Sequence, residues 1–214
     1  MTVARRPRRL TKEARYQQLI ACAMPVVAEQ GFGGFSLETI AEQADVTRNN
    51  LYRYFPRGRP DIVLAVVAEA GRQLLGGWTV DPQLSLEQRL QTNMARVADH
   101  AFGPSDAWRI HRQARAADQP EITEVVNDYL DTVVANISLN NLGTPDPPPI
   151  ARASVLATIA FGETMLDQAR GTDIRQDQIA QIILEVLVTA LRSSQSHAGS
   201  PRRRSRTPQR RTRG

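Results

Sequence analysis

Apolar side chains recur at spacings of three and four from Leu19 onward. Leu19, Ile20, Ala23, Val26 and Val27 share one face of a predicted helix that Gly31 ends. Ser36 then stands as an N-cap before Leu37, Ile40 and Ala41, which predicts a short helix to about Ala44. Asp45 and Val46 read as a tight turn. Thr47 caps the next helix, Arg48 to Phe55, and Pro56, Gly58 and Pro60 punctuate its end. A longer helix from Asp61 to Leu75 carries Ile62, Val63, Val66, Val67 and Leu74 and stops at Gly76 and Gly77. Further helical segments are predicted at about 84–102, 105–117 and 121–140, and four prolines between Gly143 and Pro149 break the pattern. Two more helices, at about 150–170 and 173–192, are the most apolar. No run alternates long enough to predict a strand, and no repeat is visible. The expected fold is all-α, a three-helix helix-turn-helix unit at residues 15–60 followed by a larger helical body at 61–192.

The second and third helices of that small unit are the ones with chemistry to offer. A helix-turn-helix needs one helix that braces, a turn that sets the angle, and a second helix whose outer face is polar and basic. Ile40, Ala41, Val46 and Leu51 face inward in this reading, which leaves Arg48, Asn49, Asn50, Arg53 and Tyr54 free to enter a major groove. An arginine can donate twice to guanine and an asparagine can pair bidentately with adenine, so these are the candidate base readers. Ser36, Thr47, Tyr52, Arg57 and Arg59 are better placed to hold phosphates, which fix register but carry no sequence information. Phe55 reads as core that closes the small unit.

In the last two helices, Val155, Ile159, Gly162, Leu166 and Ala169 repeat near every 3.5 residues, as do Ile179, Ile182, Val186 and Thr189. Ile183, Leu187, Ala190 and Leu191 form a second stripe beside the latter. One stripe can meet the core while the other stays exposed, and an exposed apolar patch of that size calls for a partner. The expected partner is a second copy of the chain. Its interface is expected at Val155, Ile159, Gly162, Leu166, Ile179, Ile182, Ile183, Val186, Leu187 and Ala190.

Charge sharpens this picture. The net charge is +5, yet residues 1–12 and 193–214 together carry +12 and no acid, which leaves −7 for the body between them. The arm (1–14) and the arginine-rich tail (193–214) therefore read as disordered polycations suited to a polyanion. The single cysteine, Cys22, excludes an internal disulfide and fits a reducing, cytoplasmic setting. No stretch is long and apolar enough for a membrane span. Leu19 to Ala28 imitates the apolar core of a signal peptide, but Gln17, Gln18 and Pro25 and the unbroken helical pattern after it argue against one. His100, His111 and His197 lack metal-ligand spacing, and no glycine-rich phosphate loop occurs, so neither an enzyme nor a cofactor is expected. Two other classes stay open: a packaging protein that binds any duplex through its tails, and an adaptor that has lost DNA binding.

Leu19-Ile20, Glu29-Gln30-Gly31-Phe32, Ser36-Leu37, Ile40-Ala41, Ala44, Val46-Thr47 and Leu51-Tyr52-Arg53-Tyr54-Phe55 together resemble the TetR family of bacterial repressors. The resemblance covers residues 15–57 and, by length and helix count, the chain. It implies backbone contacts from Thr47 and Tyr52, base contacts from residues 48–50 and 53–54, and a dimer on a near-palindrome, joined by a four-helix bundle of the last two helices. The sequence departs from the family pattern at Asp45, where glycine is usual in the turn, although Asp tolerates a left-handed backbone better than most residues. It departs again at Gly58, where a phosphate-binding lysine is common, so that role passes to Arg57 or Arg59. Asn49 replaces a common glycine, and Pro25 is expected to remove a hydrogen bond from the first helix and bend it.

The resemblance further implies a small-molecule effector in a cavity among the middle helices. Trp78, Phe102, Trp108, His111, Arg112, Tyr129, Phe161 and Met165 are the candidate lining, although each is also what an ordinary core contains. Their apolar character favours a hydrophobic or aromatic effector, with Arg112 and Arg115 available to an anionic head group. Such an effector would favour a spacing of the two reading heads that misses successive major grooves, about 34 Å apart.

Overall fold

The computed structural model describes residues 10–76, 78 and 83–198, and all regular structure among them is helical. The order is α1 (Lys12–Gly34), α2 (Leu37–Gln43), α3 (Arg48–Tyr54), α4 (Arg59–Leu75), α5 (Leu86–Phe102), α6 (Asp106–Ala116), α7 (Pro120–Leu142), α8 (Pro149–Ala169) and α9 (Gln176–Ala198). Arg5, Arg6, Arg8 and Arg9 of the arm, and the arginines of the tail, lie outside the described residues. Among the described residues no helix is long and apolar enough to cross a membrane, and no cluster of His, Cys, Asp and Glu could hold a metal ion.

The helix ends follow from side-chain chemistry. Thr11 caps α1 by accepting from the Ala14 N–H at 3.1 Å, so the helix starts inside the stretch expected to be a free arm. Pro25 keeps helical dihedrals within α1, and the break falls instead at Gly31 (φ 75°, ψ 170°). One further turn then delivers Phe35 to the core with no exposed surface. Ser36 accepts from the Thr39 N–H at 3.0 Å and Thr47 from the Asn50 N–H at 3.2 Å, which caps α2 and α3 as their positions in the sequence predict. Between those helices Asp45 takes φ 51°, the one positive φ outside glycine among the described residues. Gly58 opens α4 at φ 70°, and a Cβ there would come within 3.2 Å of the Tyr52 ring. No side chain long enough to reach a phosphate could stand at that position without strain.

Leu19, Ile20, Ala23 and Val27 of α1 meet Ile40 of α2, Leu51 of α3 and Phe55 in one core, which continues without a gap through Ile62 and Val66 of α4. It reaches Ile110 of α6, Ile122 of α7, Leu166 of α8 and Ile179 of α9. α6 packs against α1, α4 and α7, while α8 packs mainly on α9. A second core of Leu90, Val133, Ile137, Val155, Leu187 and Leu191 fills the far end of the bundle. At Gly162 the two last helices come so close that a Cβ would touch Ile183 at 3.3 Å.

One acid lies inside this packing. Glu163 on α8 is 6% exposed, and its Oε1 accepts from His111 Nε2 at 2.8 Å. An ionised carboxylate only accepts, so Nε2 carries the imidazole proton. Its Oε2 accepts from Arg112 Nη1 at 2.8 Å and Arg115 Nε at 3.2 Å, and Arg112 reaches on to Asp167 at 2.6 Å. Burial alone would raise the Glu163 carboxyl, but the His111 hydrogen bond and the positive groups around it hold it below the ordinary carboxylate value. Two consecutive turns of α6 are thereby fastened to α8.

Two variants test these points. Asp45→Ala should destabilise the chain by about 1 kcal/mol, because alanine tolerates φ > 0 less well than aspartate, whereas Asp45→Gly should stay within about 0.5 kcal/mol of the parent. Urea midpoints at unchanged slope read both, and an alanine variant as stable as the parent would remove the need for a left-handed residue in the turn. Glu163→Gln should cost about 3 kcal/mol at pH 7, since it breaks a buried ion cluster from one side. The folded Glu163 carboxyl lies below its ordinary value of 4.5, so the parent's advantage is complete above pH 4.5 and is lost as pH falls below it. Unfolding curves of the two chains between pH 7 and 3 should converge toward acid; curves that stay parallel would exclude the ionised cluster as the cause.

Candidate nucleic-acid interface and effector cavity

The short helix α3 is anchored by Leu51 and by Phe55 just beyond its end, both almost fully buried. With those residues fixed inward, 100° per residue turns Arg48, Asn49, Tyr52 and Arg53 outward onto one face, and all four are exposed. Asn50 sits half-buried at the margin of that face. Tyr54, expected among the base readers, is half-buried and packed against the core cluster instead. Arg48 is braced by Glu38 of α2 through an ion pair of 2.5 Å and donates to the Tyr52 hydroxyl at 3.3 Å, with its guanidinium 5.7 Å from the Tyr52 ring centre. Arg53 has no ion pair among the described residues. The bracing role of Glu38 was not foreseen from the sequence, although an acid ten residues before Arg48 on the preceding helix was there to be noticed.

The residues expected to hold phosphates divide into two groups. Ser36 and Thr47 lie on the same edge as α3, their hydroxyls already engaged as caps, and Tyr52 is 37% exposed. Arg57 and Arg59 are both engaged within the chain. The Arg57 guanidinium donates to Asp61 at 2.6 Å and to both oxygens of Glu121 at 2.9 and 3.1 Å. Arg59 donates to the Phe35 carbonyl at 2.7 Å and lies 5.2 Å above the Phe35 ring. The first ties the end of the reading unit to the start of α7, and the second ties the start of α4 to the end of α1.

In the body, a small cavity of about 80 Å³ lies between α4, α5, α6, α7, α8 and α9. Trp78, Trp108 and Tyr129 line it as expected, together with Val133, Ile159 and Ile183, and Glu163 is its one charged wall residue. Burial, then the Glu163 charge, pushes the Tyr129 hydroxyl well above its usual range, so it stays protonated. His111 and Arg112 stand behind the wall as holders of Glu163 and are not part of the lining. Phe102 and Met165 are half-buried packing residues of the main core, and Phe161 is 38% exposed on the outer side of α8. These four positions and Phe161 therefore correct the expected lining, and Glu163 is the wall residue that sequence reasoning missed. Its signal was a single acid set in an apolar helical run. A wider open groove of about 1220 Å³ runs between α5 and α9, lined by charges of both signs and without an enclosed apolar wall.

The residues of the expected self-association seam divide: Ile182 and Val186 are exposed, and most of the others are not. Val155, Gly162, Leu166, Ile179, Ile183 and Leu187 are buried within the chain, and Ile159 is half-buried against the cavity. The exposed apolar side of this helix pair carries Ala153, Ala157, Ala160 and Phe161 on α8 and Ile182 and Val186 on α9, with Ala190 half-buried. On α8 the outward stripe is thus out of phase with the expected one, because Val155, Gly162 and Leu166 are taken up by packing within the chain.

Residues 19–66 match the family described as bacterial regulatory proteins, tetR family. Over 193 residues, 84% of this chain and 97% of the relative, the sequence is 22% identical to the fatty acid metabolism regulator protein of Bacillus subtilis (strain 168). A tetR-family transcriptional regulator from Streptomyces coelicolor superposes with a TM-score of 0.71 at 22% identity, covering 88% of this chain and 85% of that one. The transcriptional regulator FadR from Bacillus subtilis, solved in complex with stearoyl-CoA, superposes with a TM-score of 0.62 at 21% identity, covering 82% and 98%. At these identities the superpositions show a shared fold. The capped α2-turn-α3 unit and the exposed basic face of α3 fall within the segment, residues 19–66, that is similar to the tetR family of bacterial regulatory proteins.

Proposed function

We propose that this regulator binds duplex DNA sequence-specifically as a homodimer, represses from a near-palindromic operator, and is released by a small hydrophobic or aromatic effector. The observation that carries the reading is the outer face of α3. Arg48, Asn49 and Arg53 stand exposed on a helix whose inner side is locked by Leu51 and Phe55, the arrangement that base readout requires. Asn50 at the margin joins them. Ser36, Thr47 and Tyr52 flank that face and take phosphates, and Arg57 joins them only by exchanging a carboxylate for a phosphate.

Dimerisation is supported by the exposed stripe of Ala153, Ala157, Ala160, Phe161, Ile182 and Val186, where small residues allow two helix pairs to approach closely. Effector binding is supported by the apolar cavity between the bundle helices, a common place for small-molecule sites. Its roughly 80 Å³ falls far short of the ~300–1,000 Å³ of drug-sized sites, so an effector of that size must push the walls apart. α6 is the element that would carry the push: it holds Glu163 of the wall through three side chains, and its Gln113 donates to the Ala28 carbonyl of α1 at 3.0 Å. Residues 15–60 then serve as the reading domain and 61–192 as the sensing and pairing domain.

Selection from randomised duplexes at about 0.15 M salt, where non-specific phosphate contacts are weakened, is expected to return a two-fold symmetric motif. Arg53→Ala should then lose about 1–3 kcal/mol per half-site and relax one symmetric pair of positions. Uniform binding to any sequence would overturn the reading in favour of non-specific packaging.

A further inference from the structure

Both tryptophans of the chain, Trp78 and Trp108, line the cavity, and both indole N–H groups are buried without a hydrogen-bond partner. Trp108 itself is 3% exposed. Buried donors are almost always satisfied, so two open ones on residues that line one cavity ask for an acceptor that the chain does not supply. Neither indole reaches the Tyr129 hydroxyl on the same wall, and the other side-chain acceptors there are already taken. Glu163 gives Oε1 to His111 and Oε2 to Arg112 and Arg115. The Thr158 hydroxyl, also on the wall, donates to the Ser154 carbonyl at 2.9 Å.

Charge narrows the choice from both sides. A cation entering the cavity would have to displace Arg112 and Arg115 from Glu163, and an anion would settle beside the buried Glu163 carboxylate itself. Neither arrangement gains from the low dielectric of the bundle. We infer that the effector is an uncharged, largely apolar molecule carrying a compact hydrogen-bond acceptor, such as a ketone, ester or lactone carbonyl, which takes the Trp108 indole N–H. This rests on the effector-cavity reading above and narrows it to one chemical class. Trp108 is the specificity-determining residue, and the apolar walls supply the affinity.

The chain carries only two indole N–H groups, so the ¹⁵N-labelled full-length protein reports on each directly. Four single-ring probes of similar size suit a cavity of about 80 Å³: acetophenone, ethylbenzene, benzylammonium and benzoate. Acetophenone should bind about two- to tenfold more tightly than ethylbenzene, the fold-change that one net hydrogen bond of about 0.5–1.5 kcal/mol corresponds to, and should move the Trp108 indole proton downfield. Trp108→Phe should abolish that preference while leaving ethylbenzene affinity within about twofold, since the aromatic wall remains. Should that variant not fold, the indole shift in the parent chain decides alone. Equal binding of acetophenone and ethylbenzene with both indole signals unmoved would overturn the inference and leave an apolar effector site standing. Tightest binding of benzylammonium or benzoate would overturn it in favour of a charged effector. Binding of none of the four, by a chain that still selects a symmetric operator, would overturn both this inference and the effector-cavity reading, with DNA recognition untouched.

Discussion

A carboxylate cannot remain ionised inside a dry helix bundle unless other groups carry its charge, and that constraint organises the body of this protein. Glu163 is kept ionised by His111, Arg112 and Arg115, three residues spread over consecutive turns of α6. Holding the acid therefore fixes how far α6 can slide or rotate against α8. α6 is in turn the helix on which α1 rests, with Gln113 bonded to the Ala28 carbonyl. The cavity wall and the brace of the reading unit are thus two sides of one helix.

The same economy appears at the reading unit. Arg57 and Arg59 are the two basic residues nearest the end of α3, and both are spent on holding elements together, Arg57 on Asp61 and Glu121 and Arg59 on the Phe35 carbonyl. Arg48 lies on the outer face of α3 itself, where Glu38 holds its side chain in one orientation. An exposed pair of this kind adds little stability. It limits the rotamers of a long side chain before any duplex arrives, which lowers the ordering cost of recognition.

Much of this was legible in the sequence, because local chemistry decides local structure. Ser36 and Thr47 announced their helices as caps, Asp45 tolerated the left-handed turn, and the three- and four-residue spacing located all nine helices described. What escaped depended on partners distant in sequence. The carbonyl that takes Arg59 lies 24 residues away, the acid that takes Arg57 lies 64 away, and Glu163 meets α6 about 50 residues upstream. On α8 two apolar stripes run side by side, one of Val155, Ile159 and Leu166 and one of Ala153, Ala157, Ala160 and Phe161. Periodicity reveals that both exist but not which faces inward. Packing against α9 settles it, since Gly162 on the first stripe lets Ile183 approach closely and turns that stripe inward.

The uninterrupted core from Leu19 to Ile179 bears on how this molecule can change over evolutionary time. A reading head that shared no packing with its body could be exchanged for another head by recombination at a single joint. Here Val26 and Val27 of α1 belong to the same cluster as Ile110 and Ala114 of α6, and Glu121 of α7 grips the loop after α3. A transplanted head would arrive with a surface cut to fit a different helix. On the proposed reading, new operator preferences accumulate by substitution on the outer arc of α3, where Asn49 and Arg53 stand exposed, while the joint between head and body drifts only through paired changes.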